Sequence, residues 1–386
     1  MEYESKFNIF CIFVAMKIHV VSFQVPYPAN YGGAIDVYFK LLALQEMGVD
    51  VILHTFIYGN AQREPTLESV CKQVYYYQRD TSLKKQFSLL PYIVNSRQST
   101  ELLENLCKDD APILFEGLHT CHLLSHPLLH NRRKAVRMHN IEHEYYRYLS
   151  KQSGWGWKSA YYYIESVRLH RYAKILRHAD IVYAISEADK LWLEHEFPGI
   201  QIVNMPCFFN VDFTTSHPNT QPFVLYHGNL AVEENVIAAK YIMRQIAPLM
   251  PQVDFIIAGR SACFDDVPRN VSLVDSPDDF QLNHLISTAA VHLLPTFQPT
   301  GIKLKLINTL AKANGVIIAN REMLHGHTLG DFCIQADSPA EIVKQIQEHI
   351  DTPTPQDVIE KRRNSLRRMR NESMRLLSML FSNESK

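Results

Sequence analysis

Short apolar runs alternate along this chain with longer amphipathic stretches, from about residue 17 to residue 350. Runs rich in β-branched and aromatic residues predict buried strands, whereas a 3.6-residue apolar period predicts helices. In the first half the predicted strands are 18–23, 51–56, 74–77, 113–115, 135–138 and 181–185. The predicted helices between them are 34–47, 101–108 and 157–177. This alternation is typical of a parallel α/β sheet.

A second series of the same kind begins at Phe223. Its predicted strands are 223–226, 255–258, 272–274, 291–294 and 316–318, and its predicted helices are 235–250, 278–289, 303–313 and 339–350. The polar segment 213–222, with two prolines, is the linker candidate. We therefore predict an α/β protein with two doubly wound, Rossmann-like domains, 16–212 and 223–350. Ligands bind beyond the carboxyl ends of parallel strands, so two such edges facing each other would form a cleft.

Composition narrows the function classes. Hydrophobic content of 46% and charged content of 20% are ordinary for a globular protein, and a net charge of −1 gives no argument for nucleic acid. The seven cysteines have no C-x-x-C spacing, which favours reduced cytoplasmic thiols over disulfides or zinc.

The two ends of the chain carry separate expectations. The apolar run 8–16 is too short to span a membrane, and we interpret residues 1–15 as an extension upstream of a natural start at Met16. The tail 355–381 is predicted to be a helix rich in arginine. A solvated basic face is the favoured interpretation, and contact with an anionic membrane surface is the alternative.

The segment 295–320 predicts an anion site. A strand ends at Pro295, Thr300 and Gly301 form a tight loop, and Lys303 and Lys305 lie in the first turn of the next helix. A helix N-terminus already carries partial positive charge, so two lysines there would suit a phosphate. A solvated lysine pair on an ordinary crossover is the alternative interpretation.

Two further candidates lie in the first half. Gly32 and Gly33 open a helix after the first strand and would let backbone amides approach a ligand, although a tight turn also explains them. His139 follows a predicted strand end, where ligands bind. The same residues spell H-x-x-E-H up to His143, a zinc-hydrolase motif that needs both histidines on one helix face. A histidine that only packs at a strand end is a third interpretation.

In the second half, the candidates follow the first two strands. Gly228 and Asn229 come directly after the strand at 223–226, and Asn235 lies near the start of the next helix. Arg260 follows the strand at 255–258 and is a further cation at a strand end, or else an ordinary surface residue.

These motifs resemble the GT-B glycosyltransferases, in particular the large retaining family 4 (group 1). The resemblance is carried by Gly301-Ile302-Lys303-Leu304-Lys305, followed by the strand 315–318, and covers most of residues 17–350. The family has two glutamates eight positions apart across this helix start, and here those positions hold Thr300 and Asn308. Asn308 can still hydrogen-bond a ribose hydroxyl, but without charge.

The resemblance implies a hexosyltransferase that moves a sugar from a nucleotide-sugar donor to a glycan or lipid-linked acceptor, with retention of configuration. It further implies a role in cell-envelope polysaccharide or lipopolysaccharide synthesis, in the cytoplasm or at the inner face of the membrane. No metal or other cofactor is expected, because fixed cations neutralise the diphosphate. The helix 355–381 is expected to pack back on the first domain.

The resemblance also assigns roles to the residues. Catalytic roles fall to His139, which would contact the donor sugar, and to Lys303, which would face the diphosphate. The arginine and lysine that usually hold the diphosphate in this family are not evident here, so Arg260 is included as a catalytic candidate because it is a cation at a strand end. The expected substrate-binding residues are Gly32, Gly33, Gly228, Asn229, Asn235, Thr300, Gly301, Ile302, Lys305 and Asn308.

Three alternatives stay open. The departures at Thr300 and Asn308 leave room for a degenerate GT-B domain that binds a nucleotide sugar without transferring it. A nucleotide-sugar epimerase on the same two-domain plan is the second alternative, and a zinc hydrolase using His139 and His143 is the third.

Overall fold

A computed structural model describes residues 16–29, 32–58, 63–210, 221–261, 263–297, 304–325 and 329–382. Within these ranges the chain forms two α/β domains, each built on a parallel sheet, and a long C-terminal helix that contacts both. The predicted fold class is confirmed.

The first domain contains a seven-stranded sheet in the order β3-β2-β1-β4-β5-β6-β7. Its strands are β1 (Lys17–Ser22), β2 (Asp50–Ile57), β3 (Gln73–Gln78), β4 (Ile113–Glu116), β5 (Lys134–Arg137), β6 (Ile181–Ala184) and β7 (Gln201–Asn204). Every neighbouring pair is parallel. The strand order reverses between β1 and β4, so the edge beyond their carboxyl ends is the expected ligand position.

The helices of this domain cover the sheet. They are α1 (Gly32–Glu46), α2 (Pro65–Val70), α3 (Tyr92–Asn95), α4 (Thr100–Leu106), α5 (Glu142–Gln152), α6 (Trp157–Tyr172) and α7 (Glu187–Glu196). The predicted helix 157–177 is shorter than expected, because it passes into a 3₁₀ segment at Ala173–His178. The Ser186 hydroxyl caps α7 by accepting a hydrogen bond from the Asp189 amide at 3.1 Å.

The second domain has a six-stranded sheet in the order β10-β9-β8-β11-β12-β13. Its strands are β8 (Phe223–His227), β9 (Asp254–Gly259), β10 (Val271–Asp275), β11 (Val291–Leu294), β12 (Val316–Ala319) and β13 (Ile334–Gln335). All neighbouring pairs are again parallel, and the order reverses between β8 and β11.

Its helices are α8 (Glu233–Tyr241), α9 (Asp279–Thr288), α10 (Leu304–Lys312), α11 (Arg321–Leu324) and α12 (Pro339–His349). Two of them start with a capping box, Asp278 with Gln281 at α9 and Ser338 with Glu341 at α12. The predicted helix 235–250 is not one regular helix. It changes to π-helical geometry over Ile242–Ile246 and to a 3₁₀ turn over Ala247–Leu249.

The C-terminal helix α13 (Gln356–Ser378) lies across both domains. Near its start, Arg362 Nη1 approaches the Gly315 carbonyl of the second domain at 3.5 Å. Near its end, Ser373 donates to the Pro206 carbonyl at 3.0 Å, and Leu377 is fully buried in the core of the first domain. This helix therefore ties the two domains together rather than presenting an all-polar surface.

The described part of the chain contains no helix long and apolar enough to cross a lipid bilayer.

Candidate active site between the two domains

Five ionisable side chains meet at the carboxyl edge of the first sheet. Glu116 ends β4, Arg137 ends β5, and His139 follows two residues later. Asp36 and Lys40 reach the same point from α1, since residues four apart share a helix face. Four of the five are fully buried, and the His139 side chain is 11% exposed. We call these five residues the carboxylate–cation cluster.

Each carboxylate in the cluster has a cationic partner. Lys40 Nζ donates to Glu116 Oε1 at 2.7 Å and lies 3.3 Å from Asp36 Oδ2. Arg137 Nε donates to Asp36 Oδ2 at 2.9 Å, and the backbone amide of Phe208 donates to Asp36 Oδ1 at 2.7 Å. Charges this deep in a protein are stable only when they are paired and hydrogen-bonded, and this network meets both conditions.

The pKa values follow from this pairing. Burial raises the pKa of Asp36, but Arg137 and then Lys40 outweigh it and hold that pKa well below its usual value. Burial likewise opposes ionisation of Glu116, while Lys40 and the hydrogen bond from His139 bring its pKa below the ordinary value. Both carboxylates are therefore ionised near neutral pH, where they face Lys40 and Arg137.

The His139 ring faces the two carboxylates of the cluster. Its Nε2 hydrogen-bonds Glu116 Oε2 at 2.8 Å, whereas its Nδ1 lies 3.6 Å from Asp36 Oδ2, beyond hydrogen-bond length. The Phe23 ring meets it edge-on, with the two centroids 5.4 Å apart. The cluster thus fixes the ring orientation, with Nε2 bonded to Glu116 and Nδ1 close to Asp36.

A second polar pair lies beside His139. The His119 ring also packs against Phe23, with centroids 5.0 Å apart, and its Nδ1 lies 4.0 Å from Glu142 Oε1. That Nδ1 is buried and has no hydrogen-bond partner among the described residues. The two atoms are therefore too far apart for a direct hydrogen bond.

The two members of this pair have displaced pKa values. Burial lowers the pKa of His119 well below its ordinary value and raises the pKa of Glu142 to about 7, although the positive charge of Arg97 opposes the second shift. Near neutral pH, His119 is therefore neutral and Glu142 is close to half-protonated. Such a pair can donate a hydrogen bond to a hydroxyl group and also accept one from it.

Lys305 is the centre of the second half of the site. It lies in the first turn of α10, at the carboxyl edge of the second sheet, where the strand order reverses. Its Nζ donates to Asn235 Oδ1 at 2.6 Å and to the Tyr226 hydroxyl at 3.0 Å, and it lies 4.6 Å from the centre of the Tyr226 ring. The Asn235 amide in turn donates to the Asn229 carbonyl at 2.8 Å. The ammonium group is thus held beside the β8–α8 loop.

Gly228 lies within contact distance of this ammonium group because it has no side chain. A Cβ atom at Gly228 would be 3.1 Å from Lys305 Nζ and 3.1 Å from Asn235 Cγ. A Cβ atom at Gly259 would be only 1.8 Å from the Gly228 carbonyl oxygen, so the ends of β8 and β9 pack backbone to backbone. The two glycines bring backbone and cation together in the way that anion sites require.

The two domains approach each other where α1 of the first domain and α10 of the second domain begin. A Cβ atom at Gly32, the first residue of α1, would be 3.4 Å from Leu304 Cδ1, the first residue of α10. Ile35 of the first domain also packs against the apolar core that lies under α10. The carboxyl edges of the two sheets therefore face each other, with His139 on one side and Lys305 on the other.

The other candidate residues from the sequence differ in burial and in the element on which they lie. Gly33 is the second residue of α1, Asn308 is half-buried within α10, and Arg260 is exposed directly after β9. Asn229 shapes the β8–α8 loop, because its side chain accepts from the Ala231 amide at 3.1 Å. Four predicted residues lie outside the described ranges: Thr300, Gly301, Ile302 and Lys303.

The sequence reasoning did not identify Asp36, Lys40, Glu116 and Arg137. The available signal was weak. Asp36 and Lys40 lie four residues apart on a largely apolar helix, and Glu116 and Arg137 are charged residues at the ends of two short buried strands. Strand ends in an α/β sheet are ligand positions, so Glu116 and Arg137 were identifiable by the rule that selected His139.

Asp36, Glu116 and His139 also have the donor atoms of a metal site, all within 4.8 Å of one another. The surrounding charges disfavour a divalent cation, because Lys40 and Arg137 already neutralise both carboxylates at 2.7 Å and 2.9 Å. A metal ion would have to displace a buried ammonium group from Glu116.

The helix condition of the H-x-x-E-H motif is not met. His139 lies before α5, whereas Glu142 and His143 are in its first turn. The His143 ring packs against His170 and Trp192, with centroids 4.7 Å and 5.0 Å away. The two histidines therefore do not share a helix face, as the zinc motif requires.

The chain was compared with protein families, with curated proteins and with solved structures. No family model matches the chain. It is 28% identical over 329 residues to an "Uncharacterized 44.6 kDa protein in cps region" of Klebsiella pneumoniae, covering 78% of this chain and 82% of that protein.

Solved structures resemble the chain over nearly its whole length. A sucrose-phosphate synthase from Thermosynechococcus elongatus has a TM-score of 0.70 at 17% identity, covering 95% of this chain and 98% of that one. TarM has a TM-score of 0.64 at 11% identity, covering 96% and 99%. A UDP-forming α,α-trehalose-phosphate synthase from Burkholderia vietnamiensis has a TM-score of 0.63 at 13% identity, covering 95% and 99%. At these identities the similarity concerns the fold, and the fold of this chain is that of the GT-B glycosyltransferases.

Proposed function

We propose that this protein is a glycosyltransferase that moves a sugar from a nucleotide-sugar donor to a glycan or lipid-linked acceptor. The observation that carries the proposal is the contact between Gly32 and Leu304, which brings the carboxyl edges of both sheets to one cleft. A cationic half around Lys305 and a hydroxyl-binding half around His139 then face each other across that cleft. Such a division suits a donor with a diphosphate at one end and a sugar at the other.

The chemistry would be electrostatic. The bond between the anomeric carbon and the diphosphate oxygen breaks, and the diphosphate leaves with the electron pair. The acceptor oxygen bonds the anomeric carbon and passes its proton to the departing diphosphate oxygen. Lys305, with Lys303 and the start of α10, would stabilise the charge that develops on the diphosphate. Gly228 and Asn229 would bring backbone groups to the phosphates, and Asn308 would contact a ribose hydroxyl.

The first domain would bind the sugar and the acceptor. His139 uses Nε2 for its hydrogen bond to Glu116, which leaves Nδ1 3.6 Å from Asp36 Oδ2, and His119 Nδ1 lies 4.0 Å from Glu142 Oε1. We infer that these groups hold hydroxyls of the transferred sugar and of the acceptor. Retention of configuration is part of the proposal and rests on the motif resemblance.

The biological setting is proposed from one relative. The similar Klebsiella pneumoniae protein is described as lying in a cps region. A role in capsule-type or other cell-envelope polysaccharide synthesis, in the cytoplasm or at the inner face of the membrane, is consistent with that description.

A donor screen tests the proposal. Thermal shift with UDP-, GDP- and ADP-sugars should identify one that raises the melting temperature, and that donor should release its nucleoside diphosphate when acceptor glycans or lipids are added. Stabilisation by no nucleotide sugar would contradict the proposal.

Thr300 and Asn308 stand where the resembled family has two glutamates. This difference favours one alternative, a nucleotide-sugar-binding protein without transferase activity. Binding of a donor with no release of nucleoside diphosphate, across a broad acceptor panel, would select that alternative. Conversion of the free donor to an epimer without any acceptor would instead identify an epimerase.

A further inference from the structure

The surface of the first domain carries an unusual group of exposed apolar side chains. Six described large apolar side chains are at least 72% exposed. Five of them lie in two segments of this domain: Leu83, Phe87, Leu89, Trp155 and Trp157. The sixth, Phe280, belongs to the second domain.

The two segments are neighbours in space. Arg168 of α6 donates to the Gln86 carbonyl at 3.1 Å, so the segment 82–90 packs along that helix. Trp157 and Ile164 lie seven residues apart on α6, and Arg168 is four residues further, so all three share one helix face. Trp157 at the start of this face and segment 82–90 beside Arg168 therefore lie on the same side of α6. We call the exposed side chains along it, together with Trp155, the aromatic–basic surface.

This surface is strongly basic. Segments 81–91 and 147–174 contain eight lysines and arginines and one acidic residue, Glu165, in a chain whose net charge is −1. Asp80 borders the first segment and lies 3.8 Å from Lys85, so the surface keeps a basic surplus with one ion pair at its edge. Glu165 is fully buried, where it accepts from Arg168 at 2.7 Å and from the Tyr92 amide at 2.7 Å. The lysines alternate with the exposed aromatics: Lys84 and Lys85 lie between Leu83 and Phe87, and Lys158 follows Trp157.

We propose that the aromatic–basic surface docks this protein onto an anionic phospholipid bilayer. Tryptophan and phenylalanine are favoured at the headgroup boundary, where their rings leave water and the lysines meet lipid phosphates. A juxtaposed basic surface is attracted to anionic lipid by about 1 kcal/mol per lysine or arginine, or about fivefold in affinity. The charge and the aromatic content together match this partner.

The surface is connected to the candidate active site by a short series of contacts. Tyr92, two residues after segment 82–90, lies 5.2 Å from the Arg79 guanidinium, which stacks at 4.6 Å on Tyr58. The Tyr58 hydroxyl accepts from Arg97 at 2.8 Å, and Arg97 donates to the Phe23 carbonyl at 2.7 Å. Since Phe23 contacts His139, these contacts link the docking surface to the first-domain half of the candidate site. The docking proposal itself does not depend on the transferase proposal.

The arginine-rich helix α13 is less suited to this role. Arg362 and Arg363 are buried, and Arg370 pairs with Glu46 of the first domain. The exposed pair Arg367 and Arg368 therefore supplies a charge-matched control rather than a second docking surface.

Vesicle flotation of the full chain tests the proposal. Wild type should float with vesicles containing about 30% phosphatidylglycerol and remain in solution with neutral phosphatidylcholine vesicles, and high salt should release it. K84Q/K85Q should weaken binding about 25-fold, whereas R367Q/R368Q should change it less than about twofold. W155S/W157S should weaken binding on the order of tenfold, and F280S should not.

Tryptophan fluorescence gives an independent signal from the same samples. Trp155 and Trp157 are exposed while Trp192 is partly buried, so anionic vesicles should shift the emission to the blue, and W155S/W157S should lose that shift. Unchanged melting temperatures would verify that the variants are folded. Absence of flotation or equal binding to neutral vesicles would overturn the proposal. Wild-type binding by both K84Q/K85Q and W155S/W157S would overturn it as well. A dimer that dissociates in W155S/W157S, seen by sedimentation equilibrium without vesicle binding, would also overturn it.

Discussion

The buried cluster around His139 predicts a large and specific effect of Glu116→Gln. The substitution keeps the shape of the side chain but removes a fully buried charge that receives Lys40 Nζ at 2.7 Å and His139 Nε2 at 2.8 Å. Breaking one partner of a buried pair costs about 3–5 kcal/mol, since the remaining charge stays in a low-dielectric interior. Lys40 keeps Asp36 at 3.3 Å, so we expect the lower end, about 3 kcal/mol.

Removing the other partner of this ion pair gives the comparison that tests the reasoning. Lys40→Met alone should cost a similar amount, because it leaves Glu116 with only His139. The double variant K40M/E116Q removes both charges, so its loss should fall short of the summed single losses by about 2 kcal/mol. Turnover of E116Q should drop by about tenfold or more, because His139 loses the carboxylate that orients its ring.

Urea unfolding followed by tryptophan fluorescence measures these losses selectively. All three tryptophans, Trp155, Trp157 and Trp192, belong to the first domain, so the signal reports that domain. Lys72→Met is the matched control: Lys72 pairs with Asp50 at the surface, where such a pair contributes under about 1 kcal/mol. An E116Q loss no larger than that of K72M, or additive losses in the double variant, would refute the reasoning.

Three further predictions concern charge and proton binding. Lys303→Ala should raise the barrier to transfer by about 2–4 kcal/mol with an unchanged melting temperature, and near-wild-type turnover would remove Lys303 from the mechanism. EDTA should leave activity largely unchanged, because Lys40 already occupies the Glu116 carboxylate, and complete loss restored by zinc or manganese would revive a metal role. Burial raises the folded-state pKa of Glu142 to about 7, so its contribution to stability is complete below pH 4.5 and is lost as pH rises through 7. Glu142→Gln should therefore stabilise the protein at pH 8, by up to about 3 kcal/mol, but not at pH 4.5, and equal effects at both values would contradict this pKa.

The sequence predicted the fold well because the fold depends on local pattern. Short apolar runs and amphipathic stretches repeat in both halves, and the two sheets follow that pattern closely. Helix α5 and strand β7 were missed because α5 is mostly polar and β7 is a short edge strand with little burial. The break of the helix after Tyr241 was also missed, since no proline or glycine marks its start.

The candidate site was only partly predictable. His139, Gly228 and Lys305 were identified because strand ends and helix starts can be located in a sequence. The pairing of Lys40 with Glu116 joins residues 76 positions apart, and Arg137 meets Asp36 across 101 positions. Such contacts depend on the order of the strands, which the sequence pattern alone does not determine. The pairing of His119 with Glu142 was missed for the same reason.

Isothermal titration and product release, measured on the same preparations with the donor found by the screen, test the central claim most directly. Wild type should bind the nucleotide sugar and release nucleoside diphosphate when acceptor is present. Lys305→Met should weaken binding by about 1.5–3 kcal/mol, since a charge-assisted contact to the diphosphate is lost. His139→Ala should bind the donor about as tightly as wild type and lose turnover, because the nucleotide and the sugar occupy opposite halves of the cleft. Donor affinity that is unchanged by Lys305→Met, together with normal turnover and normal melting of His139→Ala, would contradict the account.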